Sequence, residues 1–198
     1  MPLRFGTLRQ WHWISSAICL AGMLLFAITG LTLNHASWSE APPRTESRQA
    51  QLPDSLQQAL LASPPSGTAL PAVLRQWLED TTGQALGQSP AEWSGAELYL
   101  SLPRPGGDAW LSLDVRSGRL EYENTDLGWL AYLNDLHKGR HTGVIWQRFI
   151  DLVAIACLVF CLTGLLLLLR QTRYRPATGP LLGLGLVVPL LLALLFIH

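Results

Sequence analysis

The sequence predicts a membrane α-helical bundle of three transmembrane helices carrying a small α+β domain outside the bilayer. Three observations predict it. Apolar residues make up 49% of the 198 residues and charged residues only 14%, against roughly 25% charged in a soluble domain. Three long stretches carry no Asp, Glu, Lys or Arg. All 14 acids fall between the first and second of these stretches, from Glu40 to Asp151.

The first apolar run is Trp11 to Leu33, the second Leu152 to Leu169, and the third extends from Pro176 to the C-terminus. At ~1.5 Å per residue, about 20 residues cross a hydrocarbon core. The first run is longer than a signal-peptide core, and Trp38 stands where a cleavage site wants a small residue, so it is expected to remain as an anchor. Pro189 makes a kink in the third helix plausible.

Arg4 and Arg9 precede the first run, and Arg170, Arg173 and Arg175 lie between the second and third. The positive-inside rule puts the tail and the short loop in the cytoplasm, so the central segment and the C-terminus are expected in the periplasm of a bacterial inner membrane. That segment holds nine bases against 14 acids. Trp11, Trp13 and Tyr174 would form the inner aromatic belt, Trp38 and Trp146 the outer one.

The expected organisation is a tail and first helix over 1–38, a stalk with one short helix near Asp54–Leu61 over 39–70, a folded unit over 71–128, an interfacial segment and second helix over 129–170, and a loop and third helix over 171–198. In the folded unit, Pro71 opens a helix whose apolar residues Val73, Leu74, Trp77 and Leu78 recur at helical spacing and which ends near Gly83. Alternating runs at Glu97–Leu102 and Ala109–Val115 predict a hairpin, and Arg119–Glu123 a third strand. Trp77 and Trp110 are expected in its core.

Several functions are excluded. The neutral balance is not that of a nucleic-acid binder. Cys19, Cys157 and Cys161 all lie in apolar runs, form no CxxC, and are expected to pack as small hydrophobes. No GxGxxG, P-loop, HExxH or GxSxG motif occurs, so no flavin or nicotinamide site is visible. No nucleophile or general-base arrangement suggests catalytic residues in the outer unit.

The histidines are the remaining chemistry. His12 opens the first helix and His35 closes it; 23 residues separate them, or ~34 Å along a helix. His35, His137, His141 and His198 would lie at the outer face. A b-type haem takes axial ligands from facing helices and needs an apolar slot. His35 and His137 could ligate the iron, with His141 as the alternative partner and Phe26, Leu31, Leu33 and Phe149 lining the slot. His12 has no second inner histidine. His137 and His141 would share a face if their segment were helical, and a divalent-metal site with Asp135 would still want a third strong ligand. The run Leu25–Leu33, LFAITGLTL, echoes Val159–Leu167, VFCLTGLLL, which points to helix contact through Thr and Gly.

These residues carry a resemblance. A helix followed by strands ending in Asp114-Val-Arg-Ser-Gly-Arg-Leu resembles a PepSY domain. Trp11-His12, Ile28-Thr-Gly-Leu with Asn34-His35, Leu133-Asn-Asp-Leu-His-Lys-Gly-Arg-His-Thr-Gly and Leu162-Thr-Gly-Leu resemble the PepSY-associated transmembrane family over nearly the whole chain. The resemblance implies haem b and membrane electron transfer, with a role in iron or siderophore metabolism; larger relatives have four or more spans. An electron donor or other protein partner, or a homo-oligomer, would then complete it. The alternative is a non-redox membrane-anchored PepSY binding module, or an accessory subunit for an uptake system.

Overall fold

A computed structural model describes residues 6–35, 42–63, 65, 67–87, 89–172 and 174–197. Its elements are α1 (Leu8–Asn34), β1 (Arg44–Gln51), α2 (Asp54–Ala62), α3 (Ala72–Thr82), β2 (Glu92–Ser94), β3 (Glu97–Ser101), β4 (Gly107–Asp114), β5 (Arg119–Asp126), α4 (Gly128–Lys138), α5 (Gly143–Gln171) and α6 (Thr178–Phe196). They fall into two compact units, 1–27 with 148–198, and 28–147.

In the first unit, α1, α5 and α6 are long and apolar enough to cross a membrane. The sequence placed the start of the second span at Leu152, but α5 begins at Gly143 and takes the exposed Arg148 and Asp151 into its first turns. α6 continues through Pro189 and has no buried residue. Against α5, α1 packs through small side chains. A Cβ on Gly22 would come within 2.6 Å of the Val153 side chain, so only glycine permits this approach. Ser15 and Cys19 of α1, with Ala156 and Thr163 of α5, are buried. Such close backbone approach is how helices associate where no hydrophobic drive exists between them.

The second unit is built on one antiparallel sheet of order β1-β5-β4-β3-β2. Alternation sorts its faces. Ala109, Leu111 and Leu113 of β4 point inward with Leu98 and Leu100 of β3 and Leu120 and Tyr122 of β5. On that face lie Leu74 and Leu78 of α3, Leu60 of α2 and Leu52 just before it. Fully burying one leucine is worth about 1.5–3 kcal/mol. α3 ends at Gly83, whose left-handed φ of 70° closes the helix.

The predicted helix and three strands are present, with three corrections. The segment expected as a stalk instead supplies β1, an edge strand paired with β5 from Arg44↔Asp126 to Gln51↔Arg119, and the helix expected near Asp54–Leu61 is present as α2 but joins the core. The sheet therefore has five strands, β2 being the short opposite edge. Trp110 lies on the other face of β4 from Leu111, stacked on Tyr99 at 6.4 Å with its indole N–H donating to Glu123. Trp77 is partly buried against the core, whereas Val73 is exposed.

The Asp114–Leu120 motif is a self-bonded turn. The Asp114 carboxylate accepts from the Arg116 amide at 2.9 Å and the Ser117 hydroxyl at 2.7 Å, and Gly118 takes a φ of 71°. The Ser117 hydroxyl, foremost, and the Arg116 amide hold the Asp114 carboxyl below its ordinary range.

Leu111→Ala, at a side chain with no exposure, is expected to destabilise the sheet unit by about 2–5 kcal/mol. Pulse proteolysis of the full protein in detergent measures this. An unchanged cleavage midpoint would place the core elsewhere.

Candidate functional site

Two histidine rings sit on two Thr-Gly steps. In the first unit, His12 of α1 faces α5. Its Nδ1 is 3.0 Å from the Thr163 hydroxyl, and its ring stacks on Phe160 with centroids 4.7 Å apart and planes 13° from parallel. A Cβ on Gly164 would stand 3.1 Å from the ring carbon Cε1. Glycine thus makes room for the ring, and threonine satisfies its nitrogen.

The hydrogen bonding fixes a tautomer. The Thr163 hydroxyl donates to the Val159 carbonyl at 2.6 Å and the Phe160 carbonyl at 3.0 Å. Having one proton, which these carbonyls take, it accepts from His12, so Nδ1 carries a hydrogen.

In the second unit, His137 of α4 repeats the arrangement on α1. Its Nδ1 is 2.7 Å from the Thr29 hydroxyl, and a Cβ on Gly30 would lie 3.4 Å from its Cε1. One turn along, the Thr32 hydroxyl is 3.4 Å from the Asn134 side-chain oxygen. The helical echo read from the sequence therefore marks two histidine seats, Thr29-Gly30 and Thr163-Gly164.

α4 is held in turn by a buried acid. Asp135, 5% exposed, accepts from the Gly106 amide at 2.9 Å and pairs with Arg140 at 3.1 Å. Gly106 lies in the β3–β4 turn with a φ of 72°, and a Cβ there would meet Tyr132 at 2.7 Å. The Trp146 indole donates to the Leu136 carbonyl at 2.9 Å, covering the end of α4. The sequence reading did not identify this anchoring of α4, nor Thr29 and Thr163 as histidine partners.

The other predicted residues are placed as follows. His35, half-buried, donates from Nδ1 to the Leu31 carbonyl of its own helix at 3.0 Å. His141 does not share a helix face with His137: α4 ends at Lys138, Gly139 caps it, and His141 is exposed with a left-handed φ of 58°. Asp135 is committed to Gly106 and Arg140, and no group of three His, Cys, Asp or Glu suited to a metal occurs among the described residues. Trp38 and His198 lie outside the described residues.

A family model described as PepSY_TM-like matches residues 3–198. The chain belongs to the PepSY_TM-like family. No curated protein and no solved structure matches it. The match spans both histidine seats and the sheet unit, so this PepSY_TM-like protein joins membrane helices and an α+β domain in a single family unit.

Thr163→Val is expected to remove the bond that fixes His12, at a cost of about 0.6–1.7 kcal/mol. Nitrogen NMR of labelled histidine reads it directly. The wild-type protein should show His12 protonated at Nδ1, and the variant should lose that bias. An unchanged tautomer would mean that Thr163 is not the determinant.

Proposed function

We propose that this PepSY_TM-like protein binds b-type haem through histidines at the periplasmic face of a bacterial inner membrane and passes electrons there. The pair assigned to the iron is His35 and His137, both in the second unit. The observation carrying the assignment is the His137–Thr29 hydrogen bond of 2.7 Å. A histidine that ligates a metal characteristically has its other nitrogen hydrogen-bonded, which fixes ring orientation and tunes the ligand. Thr29 provides that bond, and His35 is anchored likewise through its Nδ1 to Leu31. The donor set therefore fits an axial pair. A bound haem supplies one-electron chemistry at its iron; Thr29 and Leu31 orient the imidazoles. His141, beyond the helix end, and His12, in the other unit, are left out of the pair. With no flavin or nicotinamide motif in the chain, electrons come from a separate donor. A role in iron or siderophore metabolism follows the family resemblance.

The test is the absorption spectrum of the purified, dithionite-reduced protein expressed with ample haem. Sharp low-spin bands are expected, lost in His35→Ala and His137→Ala and retained in His12→Ala and His141→Ala. Absence of any haem band would overturn the reading.

A second reading, a membrane-anchored binding module, rests on the sheet unit. Among the described residues the Trp93 indole N–H is buried without a partner, beside a cavity of about 340 Å³ lined in part by Leu60, Leu61 and Arg116. A ligand carbonyl there would satisfy that donor. This reading takes the place of the first if no haem is bound.

The proposed orientation puts residues 42–147 in the periplasm and Arg9 and Arg170 at the cytoplasmic side. The arginines flanking the spans and the acids between them support it. Phosphatase fusions should be active at position 100 and silent at positions 8 and 173; the reverse pattern would invert the topology.

A further inference from the structure

Two cavities in the first unit share a wall. One, about 550 Å³, is apolar; it runs along α5 past His12, Phe160, Leu165, Leu168 and, from α6, Leu182. The other, about 610 Å³, is lined by Thr7, Leu8, Arg9, Leu167, Arg170 and Gln171. Leu167 and Gln171 line both. The second cavity thus brings the first turn of α1 to the last turn of α5, with one arginine from each.

The charges here are unbalanced. The first unit contains one acid, Asp151, against six arginines. Among the described residues neither the Arg9 nor the Arg170 side chain has an ion-pair or hydrogen-bond partner. The α1 N-terminus adds partial positive charge. Its first turn is squared off by a capping box, the Thr7 amide donating to the Gln10 side chain at 2.7 Å and the Gln10 amide to Thr7 Oγ1 at 3.4 Å. Two guanidiniums from different helices line this one cavity, and each offers a bidentate donor face to a phosphate diester. The leucine-lined groove continuing from it suits an acyl chain. Basic pockets between transmembrane helices recognise anionic lipid headgroups on the same grounds.

We propose that this pair of cavities is a binding site for an anionic phospholipid, its phosphate between Arg9 and Arg170 and one acyl chain in the groove beside His12 and Leu182. The lipid fills the space between α5 and α6, where α6 has no buried side chain of its own. His12 becomes a wall of the lipid groove, and haem binding at His35 and His137 is independent of it.

The test uses the full protein in nanodiscs of phosphatidylcholine alone or with phosphatidylglycerol, read by tryptophan-fluorescence melting and by native mass spectrometry of retained lipid. Phosphatidylglycerol should raise the Tm and stay bound as a single adduct. Arg9→Gln with Arg170→Gln should lower that retention by roughly tenfold or more. Leu182→Trp, which fills the groove and leaves the charges, should also lower it. Arg175→Gln removes an exposed charge that does not line either cavity and should change nothing. Equal loss in Arg175→Gln would overturn the proposal and leave only diffuse attraction to an anionic surface; no preference for phosphatidylglycerol over phosphatidylcholine would overturn it outright. The haem band is read on the same samples, so failure of the lipid site and failure of the haem reading are separable.

Discussion

An imidazole pressed against an apolar helix needs a space for its ring and a partner for its nitrogen. A side chain at the contact point denies the first, and a wholly aliphatic surface denies the second. The Thr-Gly step answers both within two residues. Glycine opens the space, and threonine, whose hydroxyl can return its proton to its own helix, turns an oxygen toward the ring. Thr163-Gly164 does this for His12; at Thr29-Gly30 the hydroxyl meets the His137 ring nitrogen and the glycine lies in ordinary contact with the ring. The histidines are therefore set by the helices that receive them as much as by the helices that carry them.

Within the second unit, α4 makes that setting consistent with the sheet. It is only eleven residues long, too short to be stable alone. Asp135 fastens it to the β3–β4 turn, Trp146 covers its last carbonyls, and Asn134 and His137 meet α1. The acid is buried and yet satisfied, by one backbone amide and one guanidinium, the condition under which burying a carboxylate is tolerable. Four polar contacts on one short helix thus position a histidine between the β3–β4 turn and the last turns of α1.

Much of this was legible in the sequence. The three spans were visible because lipid demands long uncharged runs. α3 was visible from its apolar stripe and its closing Gly83, and β3 to β5 from strict alternation. β1 was not. Its sequence, RTESRQAQ, is almost wholly exposed, so nothing in it alternates; it is a charged edge strand of the kind that resists pairing with other chains. Trp110 was expected in the core from its place in the strand with Leu111 and Leu113, but that place between Ala109 and Leu111 puts it on the opposite face. The histidine seats were half legible. The repeated Thr-Gly could be read, but its partners lie 108 and 151 residues away, and no local pattern carries that information.

The turn between β3 and β4 differs from an ordinary hairpin tip. Exposed loop tips are usually the places where a chain accepts an inserted segment. Here the tip is closed over: Gly106 is buried, gives its amide to Asp135, receives the Leu127 amide on its carbonyl, and lies against the Tyr132 backbone. The neighbouring turn at Gly95 is exposed, and nothing stands within 4 Å of where its side chain would be. For attaching a fluorophore, an epitope or a second domain, the usual preference among hairpins is thus inverted. The shorter and less conspicuous β2–β3 turn is the permissive one, and the longer Pro-Gly-rich loop is closed at Gly106.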